Sequence, residues 1–273
     1  MSKESLSILF LYKTIPGRAL LKLLVRPGIS NAAAAFMSSS ASKFLISPFI
    51  RKNNIDMDRF VRPDGGYRSF NDFFTRKLKP EYRKNDHSGL ISPCDGLLTV
   101  MDIDEDSVLD IKNSKYSVRE LLRDTKLAQK YSNGTALIFR LTPSHYHRYC
   151  YCADGRASAV RRIDGVLHCV RPVALETYKV FSQNTREYSV IKTEKYGHVI
   201  QMEVGAMLVG RISNIPFPGA TRLVDAGGEK GYFEYGGSTI ILLFEDRLSL
   251  NRNILDREPV GGEIPVTIGE SLE

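Results

Sequence analysis

From about residue 56 onward the chain is a succession of short runs rich in Val, Ile and Tyr, cut apart by Gly, Asn and Asp. The runs read "GLLTVMDI", "TALIFRL", "HRYCYCA", "YSVIKTE", "HVIQMEV", "MLVGRIS" and "STIILLFE". β-Branched and aromatic residues suit a pleated, half-buried surface, and the residues between the runs suit turns. Helical signals are few here. Pro63-Asp64-Gly65-Gly66 predicts a turn, Ser69 to Asp72 a capping box opening a helix, and Ser117 to Glu120 a second box after Tyr116. No repeat period or low-complexity tract interrupts the pattern. The expected fold class is α+β: amino-terminal helices followed by a mostly antiparallel β-rich domain.

Charge divides the chain differently from structure. The formal net charge is +7 over 273 residues. Residues 1–52 carry Lys3, Lys13, Arg18, Lys22, Arg26, Lys43, Arg51 and Lys52 against one acid, Glu4, so this segment holds the whole excess. Residues 1–55 are read as a basic amphipathic helical arm and 56–273 as the body. Arg18, Lys22 and Arg26 share one helical face, and Pro16 and Pro27 bracket that short helix; a second helix is expected over Ala32–Ser42. Two readings stay open: helices docked on the body with a solvated basic edge, or an arm lying in the interface of an anionic membrane. Nucleic acid is not the expected partner, because Leu, Ile and Phe rather than base-reading groups separate the cations.

A hydrophobic share of 42% and a charged share of 25% are ordinary for a globular protein, and no run approaches the roughly 18 apolar residues of a spanning helix. Four cysteines in a chain this long do not make a secreted disulfide framework. The apolar run Leu6–Tyr12 is short and leads into Lys13 and Arg18, not into a cleavage site for a signal peptide. These features point to a reducing, cytoplasmic compartment.

Three segments carry chemistry. In "YFEYGGSTIILLFE", Gly236-Gly237-Ser238-Thr239 stands directly before an apolar strand. Such a turn is ordinarily a hairpin end. If the Gly237–Ser238 peptide is strained, however, the Ser238 hydroxyl can attack the carbonyl behind it. The amide becomes an ester, β-elimination breaks the chain, and the former serine ends as a pyruvoyl group, a ketone able to act as an electron sink. In "ISPCDGLLTV", Asp95-Gly96 is either a common turn or the orienting carboxylate of a Ser-His-Asp relay. In "LTPSHYHRYCYCADG", alternation along one strand would put His145, His147, Tyr149 and Tyr151 on one face and Cys150 and Cys152 on the other. The spacing misses the usual zinc patterns, so no metal is expected. Packed strand residues or acid/base use of His147 remain.

Together these segments resemble the phosphatidylserine decarboxylase family, pyruvoyl-dependent enzymes of prokaryotic type. "FNDFFTRKLKPEYR" is similar to the family's Phe-Phe-x-Arg-x-Leu-Lys-Pro segment, "SPCDG" to its Ser-Pro-x-Asp-Gly, and "LTPSHYHRY" to its Leu-x-Pro-x-x-Tyr-His-Arg strand. "IKNSKYSVRELL", "VGAMLVGRI" and "KGYFEYGGSTIILLF" resemble three further family stretches, the last being the processing site. The resemblance implies self-cleavage between Gly237 and Ser238, Ser238 as pyruvoyl precursor and Asp95 as relay acid. It implies decarboxylation of phosphatidylserine to phosphatidylethanolamine through a Schiff base. His147 matches the family histidine near the pyruvoyl. Two positions depart from the pattern: Cys150 stands where many members carry the relay base, and His145 where a polar residue, often Asp, precedes the Tyr. The self-cleavage base is therefore left between His147 and His168, with His147 preferred for decarboxylation. The implied setting is the cytoplasmic side of the cell membrane, peripherally bound, with large and small chains staying associated; a homodimer is compatible with it. A pyruvoyl decarboxylase of another amine and a non-catalytic membrane-associated β module are the alternatives.

Overall fold

The computed structural model describes residues 6–25, 27–83, 89–106, 108–111, 114–170, 172–175, 177–206, 211–236 and 238–273. The arm forms α1 (Leu6–Lys13), α2 (Ile15–Leu24) and α3 (Pro27–Ser38), a 3-10 turn over Ser40–Leu45, and α4 (Ile46–Asn53). The bounds differ from those expected. Pro16 lies inside the first turn of α2 instead of preceding it, and α3 begins at Pro27, not Ala32. A first-turn proline gives up only an N–H that has no helical partner. At the other end Ser39 Oγ donates to the Phe36 carbonyl at 2.7 Å, and the chain leaves the α-helix there. Arg26 lies outside the described residues.

The capping box expected at Ser69 forms. Ser69 Oγ accepts from the Asp72 N–H at 3.1 Å, and the Asp72 carboxylate accepts from the Arg68 N–H at 2.8 Å, opening α5 (Phe70–Phe74). The second box does not: Ser117 precedes the helix Val118–Leu122 without a side-chain bond. The Pro63 turn closes through the Gly66 N–H to the Pro63 carbonyl at 2.9 Å.

The strands, in chain order, are β1 (Gly96–Asp102), β2 (Val108–Ile111), β3 (Ser114–Ser117), β4 (Thr135–Leu141), β5 (Arg148–Cys150), β6 (Gly155–Ser158) and β7 (Arg161–Ile163). They continue with β8 (Arg186–Lys192), β9 (His198–Gly205), β10 (Ile212–Asn214), β11 (Thr221–Val224), β12 (Glu229–Phe233), β13 (Ser238–Phe244) and β14 (Ile264–Val266). The main sheet runs β11-β6-β8-β9-β13-β4-β1-β14, with β7 also paired to β8, and every one of these pairings is antiparallel. A small sheet, β10-β12-β5, lies beside it, and β2 and β3 form a separate pair. The α+β expectation holds. Two expected strands are altered: only Arg148–Cys150 of "HRYCYCA" is strand, and 207–210 of "MLVGRIS" lie outside the described residues.

Alternation along β13 sorts the two cores. Ile241 and Leu243 face one core with Ala136, Ile138, Ile200 and Met202, and the arm closes it with Leu11, Tyr12, Leu21 and Val25. Burying Leu11, Leu21 and Val25 contributes roughly 1.5–3 kcal/mol each. Ile240 and Leu242 face the other core, where Tyr149 of β5, Ile212 of β10 and Phe233 of β12 lie against the main sheet. The arm is thus docked by one side. Its other side carries exposed Leu6, Phe10, Ile15, Leu20, Phe36 and Phe44 beside exposed Lys13, Arg18, Lys22 and Lys43.

Candidate active site

Four segments meet at one end of the main sheet. Ser238 begins β13 and pairs with Leu141, the last residue of β4, on one side and with Gly205, the last of β9, on the other. Gly96 begins β1 on the far side of β4, so Asp95 precedes that strand at the same end. Beyond Leu141 the chain turns into Thr142–His147, where the His145 N–H donates to the Thr142 carbonyl at 3.0 Å. That turn takes His145 off the strand, so the expected shared face of His145, His147, Tyr149 and Tyr151 does not form.

Ser238 is fully buried, and its Oγ has no hydrogen-bond partner among the described residues. Gly236, two residues earlier, has a φ of +151°, a conformation glycine adopts at little cost. Gly237, the other side of the expected cleavage point, lies outside the described residues. The approach to the turn is anchored from α5: the Tyr235 N–H donates to Asn71 Oδ1 at 3.1 Å, and its ring packs edge-on against Phe70 and Phe74 at 4.9 and 5.2 Å.

His147 is fully buried in the same cluster. Its carbonyl accepts from the Phe233 N–H at 2.9 Å, and its ring lies 3.9 Å from that of Phe74. Nδ1 sits 2.9 Å from the His145 carbonyl, which assigns the proton to Nδ1 and leaves Nε2, unpartnered among the described residues, as the basic nitrogen. Burial, then the Arg76 guanidinium and His145, hold its pKa well below the usual imidazole value. The ring is neutral at pH 7.

Asp95 is buried, and its Oδ1 accepts from the Ile268 N–H at 2.9 Å. Among the described residues no hydrogen bond joins it to a histidine. Its charge acts instead on His145, opposing the lowering that burial imposes there, and on Arg76. Arg76 is 2% exposed, stacked over Phe60 and Phe73 at 4.2 and 4.9 Å, and burial lowers its pKa to about 10. It was not singled out in the sequence as a functional group; its signal was its place in the Phe-Phe-x-Arg motif.

His168 is held differently. Asn184 accepts from the His168 N–H at 2.9 Å and donates to the carbonyls of His168 and Gly205 at 2.8 and 2.7 Å. The His168 backbone is thereby tied to the residue opposite Ser238. Its ring stacks on Tyr178 at 4.5 Å near Tyr12, aromatics of the core on the Ile241 face, and burial lowers its pKa to about 4. Ser238 lies on the Ile240 face by alternation. The structure brings Ser238, His147 and Asp95 to one end of the sheet and sets the His168 ring among the residues of the opposite face. Cys150, one of the two departures from the family pattern, is buried near the Pro93 carbonyl, and burial pushes its thiol up to about 12, so it stays protonated.

A profile of the family described as phosphatidylserine decarboxylase matches residues 70–272. The chain is 46% identical over 267 residues to phosphatidylserine decarboxylase proenzyme 2 of Clostridium acetobutylicum, spanning 96% of this chain and 90% of that one. It is 41% identical over 268 residues to the phosphatidylserine decarboxylase proenzyme of Ruminiclostridium cellulolyticum, spanning 96% and 89%, and 40% identical over 242 residues to that of Clostridium tetani, spanning 87% and 81%. The chain belongs to the phosphatidylserine decarboxylase family. The family and the enzyme class expected from the motifs are thereby met. The family match begins at Phe70, the first residue of α5, whose phenylalanines position both His147 and Tyr235. The whole basic arm precedes it, although relatives align across nearly the whole chain. Among the described residues no helix is long and apolar enough to cross a membrane.

Proposed function

We propose that the chain matures by cleavage between Gly237 and Ser238 and then, with a pyruvoyl group in place of Ser238, decarboxylates phosphatidylserine to phosphatidylethanolamine. The observation carrying this reading is the Ser238 hydroxyl: fully buried, without a partner among the described residues, and two residues after a glycine at positive φ. A buried hydroxyl left unbonded costs about 1–3 kcal/mol, which a chain tolerates where the group is to react. The relatives' names as proenzymes support the same reading. A pyruvoyl group at this position supplies a ketone that engages the lipid's amine and draws the electrons released with CO₂.

The chain's own residues do the remaining work. His147 Nε2, at the same end of the sheet and unpartnered among the described residues, accepts and returns a proton in turnover, and burial keeps it neutral until the carboxylate's charge enters. Asp95 and Arg76 set the field around His145 and His147. The large and small chains stay together after cleavage because β13 remains paired to β4 and β9 on both sides. The arm supports peripheral docking on the cytoplasmic face of an anionic membrane: one side is anchored in the core and the other offers Leu6, Phe10 and Ile15 with Lys13 and Arg18.

The test is CO₂ release by the mature protein from phosphatidylserine vesicles, with free serine in parallel. Release from the lipid alone is expected. Equal release from free serine would move the chain to a soluble amine substrate, and none from either would make it a non-catalytic module.

A further inference from the structure

On the face toward Ser238, β9 presents Gln201, Glu203 and Gly205 in a core otherwise lined by Leu137, Phe139, Ile240 and Leu242. Glu203 is fully buried, and so is its partner Lys230 of β12, at 1% exposed. The Lys230 ammonium donates to Glu203 Oε2 at 2.6 Å and to Asn214 Oδ1 at 2.9 Å. Asn214 Nδ2 donates to the same Oε2 at 3.3 Å and to Glu187 Oε2 at 2.8 Å. Every donor reaches Oε2. Glu203 Oε1 is buried with no partner among the described residues.

Burying both ions costs several kcal/mol each, and an apolar pair of like volume would serve stability as well or better. A carboxylate oxygen left bare adds to that cost. The register shows which residues neighbour Glu203 on this face. Glu203 is opposite Ile240 and Gly205 is opposite Ser238, so Glu203 and Ser238 are diagonal neighbours on one face. Such neighbours lie about 7–8 Å apart at Cα, within reach of a long side chain. The Gly205 N–H and carbonyl both point away from β13, to Thr185 and Asn184, so Gly205 and Ser238 form the close, non-hydrogen-bonded kind of pair. Having no side chain, Gly205 puts nothing between them. Ser238 Oγ, like Ser189 Oγ opposite Gln201, is also buried on this face with no partner among the described residues.

Resting on the reading that Ser238 cleaves its own chain, we infer that Glu203 is the general base of that cleavage and Lys230 its positioning residue. Glu203 Oε1 takes the proton of Ser238 Oγ as Oγ bonds to the carbonyl carbon of residue 237. The bond from that carbon to the Ser238 nitrogen breaks, and the same proton passes to the departing nitrogen. An ester replaces an amide with no outside reactant. Lys230 occupies Oε2, turns Oε1 toward the serine, and opposes the upward push that burial gives the Glu203 pKa. The other titratable groups that feel this carboxylate are Glu187, Tyr149, Tyr151, Cys94 and Cys152. Burial raises each of the phenols and thiols, so they stay neutral through the working range. The His147 group is left to turnover and the Glu203 group to maturation.

The test follows cleavage of the freshly translated full chain by denaturing mass spectrometry. Wild type, Ser238→Ala, Glu203→Gln, Lys230→Met and the neutral double variant Glu203→Gln/Lys230→Met are compared, with folding checked by circular dichroism. Glu203→Gln should slow cleavage roughly 10²–10⁴-fold, as loss of a general base does. Lys230→Met should slow it at neutral pH and recover as pH rises, because a carboxylate without its cation ionises later. The double variant, which buries no charge, should fold yet stay slow at every pH. Folded Glu203→Gln or double variant cleaving at the wild-type rate overturns the assignment while wild type still cleaves. An uncleaved wild type, matching Ser238→Ala, would instead overturn the reading it rests on.

Discussion

Asn184→Ala should loosen the cleavage site from behind. The side chain is fully buried and makes three hydrogen bonds, to the His168 N–H, the His168 carbonyl and the Gly205 carbonyl, at 2.7–2.9 Å. At about 1 kcal/mol each, with the desolvated partners left unpaired, their loss costs at least ~3 kcal/mol. For 273 residues the unfolding entropy is about 0.6 kcal/mol/K, so the melting temperature should fall by about 5 °C. Gly205 is the residue opposite Ser238, so cleavage should slow as well. Leu243→Ala is the control. It opens a cavity worth roughly 2–5 kcal/mol in β13, five residues or about 17 Å from Ser238. Scanning calorimetry and timed cleavage of both variants decide the matter. A melting point within 1 °C of wild type, or cleavage no slower than in Leu243→Ala at equal destabilisation, would refute the clamp.

Burial holds His145, His147 and His168 neutral in the folded chain, each with a pKa below its ordinary value. The unfolded chain therefore binds protons first. The stability they contribute is complete above the unfolded pKa of about 6.5 and is lost as pH falls toward the folded values, by up to about 1.4 kcal/mol per unit per histidine. Urea midpoints at pH 7.5 and 5 should differ accordingly; equal midpoints would contradict the burial argument. His147→Ala should cleave yet release CO₂ slowly. Asp95→Asn removes the anion acting on His145 and Arg76, making His145 harder to protonate, so its turnover should fall most at high pH, read from a pH–rate profile. Reversing Lys13, Arg18, Lys22 and Arg26 to Glu should weaken flotation with phosphatidylserine vesicles, most at low ionic strength, and leave cleavage intact. Unchanged flotation would make the arm a structural element alone.

Much of the fold was legible because β-branched runs and turn residues are local signals. Seven runs were expected, and three of them, β4, β9 and β13, lie side by side where the site forms. The capping box at Ser69 was legible for the same reason, being a contact three residues long. Where two signals competed, the boundary moved: prolines entered the first turns of α2 and α3, and a Thr142–His145 turn shortened the strand of the histidine motif. Ser238, Asp95 and His147 stood out as candidates in the sequence, but their joint roles came through resemblance, since the sheet register joining them is not local. Glu203 and Lys230 were missed for a further reason. Alternation in "HVIQMEV" tells which residues share a face, but not whether that face meets water or a second sheet. The face that holds Gln201 and Glu203 is covered by β5 and β12. Asn184 carries no pattern of its own, and Arg76 only its place in the Phe-Phe-x-Arg motif; their roles come from what folds around them.

The central claim is that this chain makes its own reactive group at Ser238, and the intact mass of the purified full-length protein tests it most directly. Two chains are expected, residues 1–237 and 238–273, with the smaller lighter by one ammonia than a peptide beginning with serine and resistant to Edman degradation. A single chain of 30.7 kDa with an ordinary internal Ser238 would contradict the account.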